Sequence, residues 1–300
     1  MIKLYQSYQG EPERKLLSLA AIPWEIKGGF NDSAREYELF KSISASLHPE
    51  DQEPWGMVSK KFSNKAFISI EEFLGFAEKK IQDGFDCVFI NPMIANEALH
   101  LNVWSQGVQC GHNGLDKIIN FLELKLCKSI TSPMDKSIFA FCNYFIATPQ
   151  FWTKYFSFVD GILDSLDREV LNRTEIGLIF SGSGSYHRDL NVSMRPFVIE
   201  RLFSTFIQLN NIQVAAFKYQ KIHYEKKFGE KNGSFLFQIS ALKNLGLKMD
   251  LENLISAYNH IRFFLYTNGP FMISISVLDD PPDFYLSEEY FHLMGENFQP

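Results

Sequence analysis

The chain is poor in the features that would place it at once. Its 300 residues include only four cysteines, Cys87, Cys110, Cys127 and Cys142, and no C-x-x-C pair, so neither a zinc-ribbon spacing nor a redox motif is present. The two cysteines in apolar runs read as small buried hydrophobes. There is no basic excess: 29 Lys and Arg face 35 Asp and Glu, for a net charge of −6. Nucleic acid is therefore excluded as the main partner, because phosphate neutralisation needs surplus cations. The longest charge-free runs, Ser137–Thr153 and Phe263–Leu278, contain Pro and Asn and fall short of the ~20 apolar residues that span a bilayer. The start, Met1 to Gln6, leads into Glu11 and Glu13 with no apolar h-region, so no signal peptide is readable and a cytoplasmic protein is expected. D-x-D is missing from the central strand region, where the only adjacent acids of note are the distant Asp279-Asp280. The Gly/Ser loop Ser181–Ser185 lacks the P-loop lysine and does not match G-x-G-x-x-G, so it reads as a connector.

What the chain does have is rings. Aromatics make up 15%, with 29 Phe, inside a hydrophobic content of 46%. That many rings need a substantial interior or an aromatic-walled cleft. The length gives one large domain or two ordinary ones, with a core that needs no disulfide or metal.

Periodicity then sets the order of elements. Ile2–Tyr8 and Trp55–Ser59 read as strands, and Phe85–Ile90 as a buried strand stopped by Asn91-Pro92. Ser33 to Glu36 and Ser69 to Glu72 are capping boxes that open helices. Asn113 is placed to cap a helix carrying Leu115, Ile118, Ile119, Leu122 and Leu126. Ile138–Ala147 reads as a buried strand, and Thr148-Pro149 as the start of a long helix. Glu175–Phe180 and Ile212–Phe217 read as strands, Pro196 as a helix start and Asp250 as a cap. Phe271 to Val277 alternate as a half-exposed strand. The basic stretch Lys218, Lys221, Lys226, Lys227 and Lys231 is a solvated loop or edge, or else a patch for anionic headgroups or a diphosphate. Alternation of strand and helix from residue 54 to 217 predicts an α/β fold with a largely parallel central sheet.

In such sheets ligands bind beyond the carboxyl ends of the strands. Asn91 ends a strand there, as a turn residue or as a hydrogen-bonding group for a sugar or nucleotide. His100, Asn102, Trp104, Gln106, His112 and Asn113 form a span nearly free of charge. Neutral donors and acceptors beside an indole suit carbohydrate, and a polar connecting loop is the plain alternative. Cys110 and His112 invite a nucleophile reading, but side chains two apart rarely meet. Glu200, beside Arg201, is a general base if its helix end faces the cleft, or a dipole-complementing first-turn residue if not. Asp86 is the fallback base.

These residues in order carry a resemblance: Trp55-Gly56-Met57-Val58-Ser59-Lys60-Lys61-Phe62, Asp86 to Pro92, Asn102 to Gly107, Gly111 to Leu115, Cys142-Asn143-Tyr144-Phe145 with Phe151-Trp152, and Arg195-Pro196-Phe197 with Glu200-Arg201. Together they resemble a group of bacterial glycosyltransferases of lipopolysaccharide and capsule assembly, over roughly residues 1–217. The resemblance implies a GT-A-like, Rossmann-related catalytic domain over 1–217, with 218–300 as a C-terminal α+β extension or part of the same domain. It implies a nucleotide-sugar donor, a glycan or glycolipid acceptor and peripheral contact with the inner face of the cytoplasmic membrane. GT-A folds usually hold a divalent cation through D-x-D, but here the strand end reads Phe89-Ile90-Asn91-Pro92, so manganese or magnesium is not required by any motif. Lys60, Lys61 or the 218–231 lysines would then meet the leaving diphosphate.

The expected activity is hexosyl transfer with Glu200, or Asp86, as base. Asn91, Asn102, Trp104, Gln106, His112, Asn113, Trp55, Lys60 and Arg201 are the expected donor and acceptor contacts, with tryptophans, Trp152 among them, as a stacking wall. Two rivals are a non-catalytic carbohydrate-binding or scaffold protein of the same pathway, and a hydrolase resting on Cys110 alone.

Overall fold

The computed structural model describes residues 2–26, 35–48, 50–184, 192–210 and 212–267. In chain order the elements are β1 (Lys3–Tyr8), α1 (Gly10–Arg14), β2 (Ile22–Glu25), α2 (Arg35–Ser46), β3 (Trp55–Ser59), α3 (Phe62–Ala66), α4 (Ile70–Gln82), β4 (Cys87–Phe89), α5 (Ile94–Leu99), α6 (Val103–Gln109) and α7 (Leu115–Leu126). Then come β5 (Phe145–Ala147), α8 (Pro149–Leu171), α9 (Glu175–Ser181), α10 (Met194–Leu209), β6 (Val214–Ala216), α11 (Lys221–Phe228), α12 (Glu230–Met249) and α13 (Glu252–Thr267). The protein is α/β, with a six-stranded sheet in the order β2-β1-β3-β5-β4-β6. Every neighbouring pair is parallel except those of β5, which runs against both β3 and β4.

Two compact units are formed. Of the described residues, those up to 92 and from 100 to 220 make the first, which contains the sheet; those from 93 to 99 and from 221 to 267 make the second. The division is not a single cut along the chain, since α5, just after the β4 strand end, belongs with the late helices. Among the described residues no helix is long and apolar enough to cross a membrane.

The core accounts for most of the aromatic content. Phe145 of β5 meets the rings of Phe40, Phe151, Trp152, Tyr155 and Phe203 at centroid distances of 4.3–5.9 Å. Gly56 lets β3 approach it: a Cβ there would lie 2.1 Å from the carbonyl oxygen of Phe145. Only glycine fits that register, because the strand backbone takes the place of a side chain.

Local signals in the sequence hold where side chains satisfy helix-end amides. Ser69 caps α4 by accepting the Glu72 N–H at 3.1 Å, and Thr148 caps α8 by accepting that of Phe151 at 3.3 Å. Elsewhere the structure corrects them. Glu175–Phe180 is helical, because Thr174 accepts the Gly177 N–H and closes a first turn; a short apolar run does not tell strand from helix. Gly114, with φ of 85°, precedes α7 in place of Asn113, which is exposed. Asp250 ends α12 in the left-handed region instead of opening a helix. The basic stretch from 218 to 231 is largely helical, forming α11 and the start of α12. Ser33 of the first capping box, Ser185 and the alternating stretch 271–277 lie outside the described residues.

Candidate functional site

The reversed strand gathers one edge of the sheet. The register pairs Met57 and Phe89 with the same residue, Phe145. The carboxyl ends of β3 and β4 therefore lie beside the residues that lead into β5, Cys142-Asn143-Tyr144. Lys60 and Lys61 follow β3 at this edge, Asn91 follows β4, and Gln9 follows β1.

The segment before β5 explains why the strand expected over 138–147 shrinks to three residues. Buried amides must be paired, and here they pair with side chains instead of a ladder. Ser204 accepts the Ala140 N–H at 2.9 Å and donates back to the Ala140 carbonyl at 3.2 Å. Asn91 Oδ1 accepts the Phe141 N–H at 3.2 Å, and Glu200 Oε1 the Cys142 N–H at 3.0 Å. Cys142 and Asn143 then both take positive φ, 66° and 50°. The Asn143 side chain is buried, and its Oδ1 meets no donor among the described residues. Tyr144 and Ser59 share a short hydroxyl hydrogen bond of 2.5 Å, while burial, and after it the neighbouring Cys142, holds the Tyr144 phenol well above its usual range.

Two expected residues, Asn91 and Glu200, thus converge on one buried strap. Glu200 is half-buried and is the seventh residue of α10, nearly two turns in, so it does not complement the helix start. Lys60 lies at the end of β3, its ammonium ion-paired with Glu13, which also accepts the Gln9 N–H at 2.7 Å. Burial pushes the Glu13 carboxyl up, but the bonds from Lys60 and Gln9 and the charge of Lys61 outweigh it, and its pKa lies below the ordinary value.

Asp86 falls elsewhere. It precedes β4, and its carbonyl accepts the N–H of Thr148, the residue just after β5. That is the amino edge, separated from Asn91 by the length of the strand at about 3.3 Å per residue. Asp86 and Glu200 therefore do not share a site.

A second group of expected residues gathers around Arg201, in the interior. Arg201 is 1% exposed. It donates to the Val103 carbonyl at 2.8 Å, the Phe197 carbonyl at 2.7 Å and Gln106 Oε1 at 2.6 Å, with its guanidinium over the Phe141 ring. Gly107 makes room for it: a Cβ would lie 2.6 Å from the guanidinium. Trp104 is fully buried and donates to Thr205 at 2.9 Å. Asn102 caps α6 in a reciprocal box with Ser105 and donates to the Thr131 carbonyl at 2.6 Å. His112 donates from Nδ1 to the Gly184 carbonyl at 2.6 Å. Its pKa is held down to about 4, by burial first and then by the Arg201 charge, so it is neutral near pH 7 and a poor base for Cys110.

The expected stacking wall is also interior. Trp55 and Trp152 stack on each other at 4.0 Å and 8°, and Trp152 Nε1 donates to the Trp55 carbonyl at 3.0 Å. Trp55, Trp104 and Trp152 are each at most 3% exposed, so they hold the core and present no face to a sugar. Among the described residues no group of three or more His, Cys, Asp or Glu is placed to hold a metal ion. An open cleft lined by Phe121, Leu124, Lys125, Ser165, Arg168 and Glu169 includes none of the expected site residues.

Ser59, Ser204 and Asn143 join this edge with no role expected from the sequence. For Asn143 the signal is that it is the one polar position in the apolar run Ile138–Ala147. No known family model, curated protein or solved structure matches this chain.

Proposed function

We propose that this chain is a glycosyltransferase of GT-A-like fold that moves a hexose-type sugar from a nucleotide-sugar donor onto a growing bacterial surface glycan. It would act at the cytoplasmic face, peripheral to the membrane. The observation that carries the reading is the convergence of Glu200 and Asn91 on the segment of the Cys142–Asn143 kink at the carboxyl edge of the sheet, where α/β folds bind ligands and where Lys60 follows β3. The ordered resemblance to surface-polysaccharide glycosyltransferases adds to it.

The chemistry assigns one role to each part. Glu200 uses Oε1 to hold the Cys142 N–H, and its second oxygen takes the proton of the acceptor hydroxyl. The hydroxyl oxygen bonds to the anomeric carbon as the bond to the diphosphate breaks and its electron pair leaves with the diphosphate. Lys60 and Lys61 meet the charge that develops there. Glu13 holds Lys60 in place until a more strongly charged anion competes for it.

A second reading, a non-catalytic carbohydrate-binding or scaffold protein, is favoured by the same Glu200 bond, which gives that carboxylate a structural task. Calorimetry with UDP, GDP, CDP and dTDP separates the two: the transferase reading requires one of them to bind, and a module that binds glycan alone takes none. Release of nucleoside diphosphate from the matching nucleotide sugar, lost in Glu200→Gln, tests the base.

A further inference from the structure

We infer that Asn143 is the residue that recognises a ligand hydroxyl at this edge, an inference that rests on the site reading above. Three polar side chains from two elements fix the backbone leading into Asn143. Asn91 comes from the end of β4, and Glu200 and Ser204 from α10. The backbone they fix is unfavourable, since two successive non-glycine residues sit in the left-handed region. Such conformations persist where the surroundings over-determine them, and they concentrate at ligand sites. The kink ends on a side chain that is 4% exposed and whose carbonyl oxygen meets no donor among the described residues.

A buried amide oxygen without a donor is costly to fold, and the deficit names its partner's chemistry. What is lacking is a hydrogen-bond donor. Ionised phosphate and carboxylate groups offer none, whereas a hydroxyl does. On the proposed substrate, hydroxyls come from the ribose of the nucleotide or from the sugar being transferred, and Asn143 would engage one of them after a small opening of the kink.

The test uses the full chain, with binding and melting measured together on wild type and Asn143→Gly. Glycine removes the oxygen and relaxes the positive φ, so a purely structural Asn143 gives a variant that melts no lower and binds as wild type does. The inference expects an unchanged or higher melting temperature with affinity about tenfold weaker, the effect of one good hydrogen bond. If affinity for the nucleoside diphosphate falls, the hydroxyl belongs to the ribose. If only affinity for UDP-glucose or GDP-mannose falls, it belongs to the transferred sugar. Asn143→Ser, with the same loss expected, replaces the glycine variant if that one does not melt cooperatively. Affinity in these variants equal to wild type overturns the inference and leaves the site reading standing. Absence of binding by wild type to every probe overturns the site reading, and this inference with it.

Discussion

Glu200 Oε1 accepts the backbone N–H of Cys142 at 3.0 Å, across 58 residues of sequence. The bond ties α10 to the residue that begins the left-handed kink ahead of β5. Under the proposed function that carboxylate has two separable tasks, holding backbone and taking a proton.

Substitution at Glu200 separates those tasks. Glutamine keeps a carbonyl oxygen for the Cys142 N–H but is no base. Glu200→Gln should retain stability within about 1 kcal/mol, while turnover of the nucleotide sugar falls by roughly 10²–10⁴-fold, the usual contribution of a general base. Glu200→Ala leaves the amide without a partner and should cost about 1–3 kcal/mol as well. Denaturant midpoints and initial rates on the same preparations check both, and a fully active glutamine variant would remove the base assignment.

His112 predicts a pH dependence. Its folded pKa is about 4, depressed by burial and then by the Arg201 charge, against an unfolded value of ~6.5. The unfolded chain therefore binds more protons between those values. The stability contribution is complete above about 6.5 and is lost as pH falls through 4, by up to roughly 3 kcal/mol. His112→Asn keeps an N–H for the Gly184 carbonyl and does not titrate. Urea midpoints at a series of pH values from 7.5 to 4 should fall more steeply for wild type, by roughly 1 kcal/mol per pH unit over that window.

Arg201 carries a third prediction. Its three hydrogen bonds sit in an interior that is 1% exposed. Arg201→Lys keeps the charge but cannot reproduce the fork, and should cost about 1.5–3 kcal/mol for each charged hydrogen bond it fails to make. Gln106→Ala, which removes one acceptor, should cost about 1–3 kcal/mol. Thermal unfolding of both checks this. A lysine variant as stable as wild type would return Arg201 to the list of ligand contacts.

The sheet was legible wherever an apolar period or a cap marked an element. β1, β3, α4 and α8 stand within a residue or two of the positions read from periodicity and from Ser69 and Thr148. Legibility stopped where long-range side chains replaced the ladder. Nothing near residues 138–144 says that Ser204, Asn91 and Glu200 will take its amides, so the run reads as a strand. The polar span 100–113 reads equally as a sugar site or a connecting loop, because its groups are neutral and close in sequence. Gln106 is held in the interior by Arg201 and Trp104 by Thr205, some ninety to a hundred residues away, and no local pattern encodes those pairings. Asn91 and Glu200, by contrast, stand out in the sequence by strand end and helix, and they meet on one strap.

The second unit contains a buried pair whose cost can be measured. Lys243 Nζ of α12 lies 2.8 Å from Glu97 Oε1 of α5, with side chains 0% and 4% exposed. Ser240 Oγ donates to the same carboxylate at 2.6 Å and Asn244 Nδ2 at 3.0 Å. Removing one charge strands the other in the interior. Lys243→Met should therefore destabilise by about 3–5 kcal/mol, and so should Glu97→Met, which also orphans the two neutral donors. Replacing both by methionine removes the stranded charge, so the double variant should recover much of the loss and be more stable than either single one. A double-mutant cycle on denaturant midpoints measures the coupling. Strict additivity of the two losses would mean that the ammonium and the carboxylate are not paired in solution and that Ser240 and Asn244 alone hold Glu97.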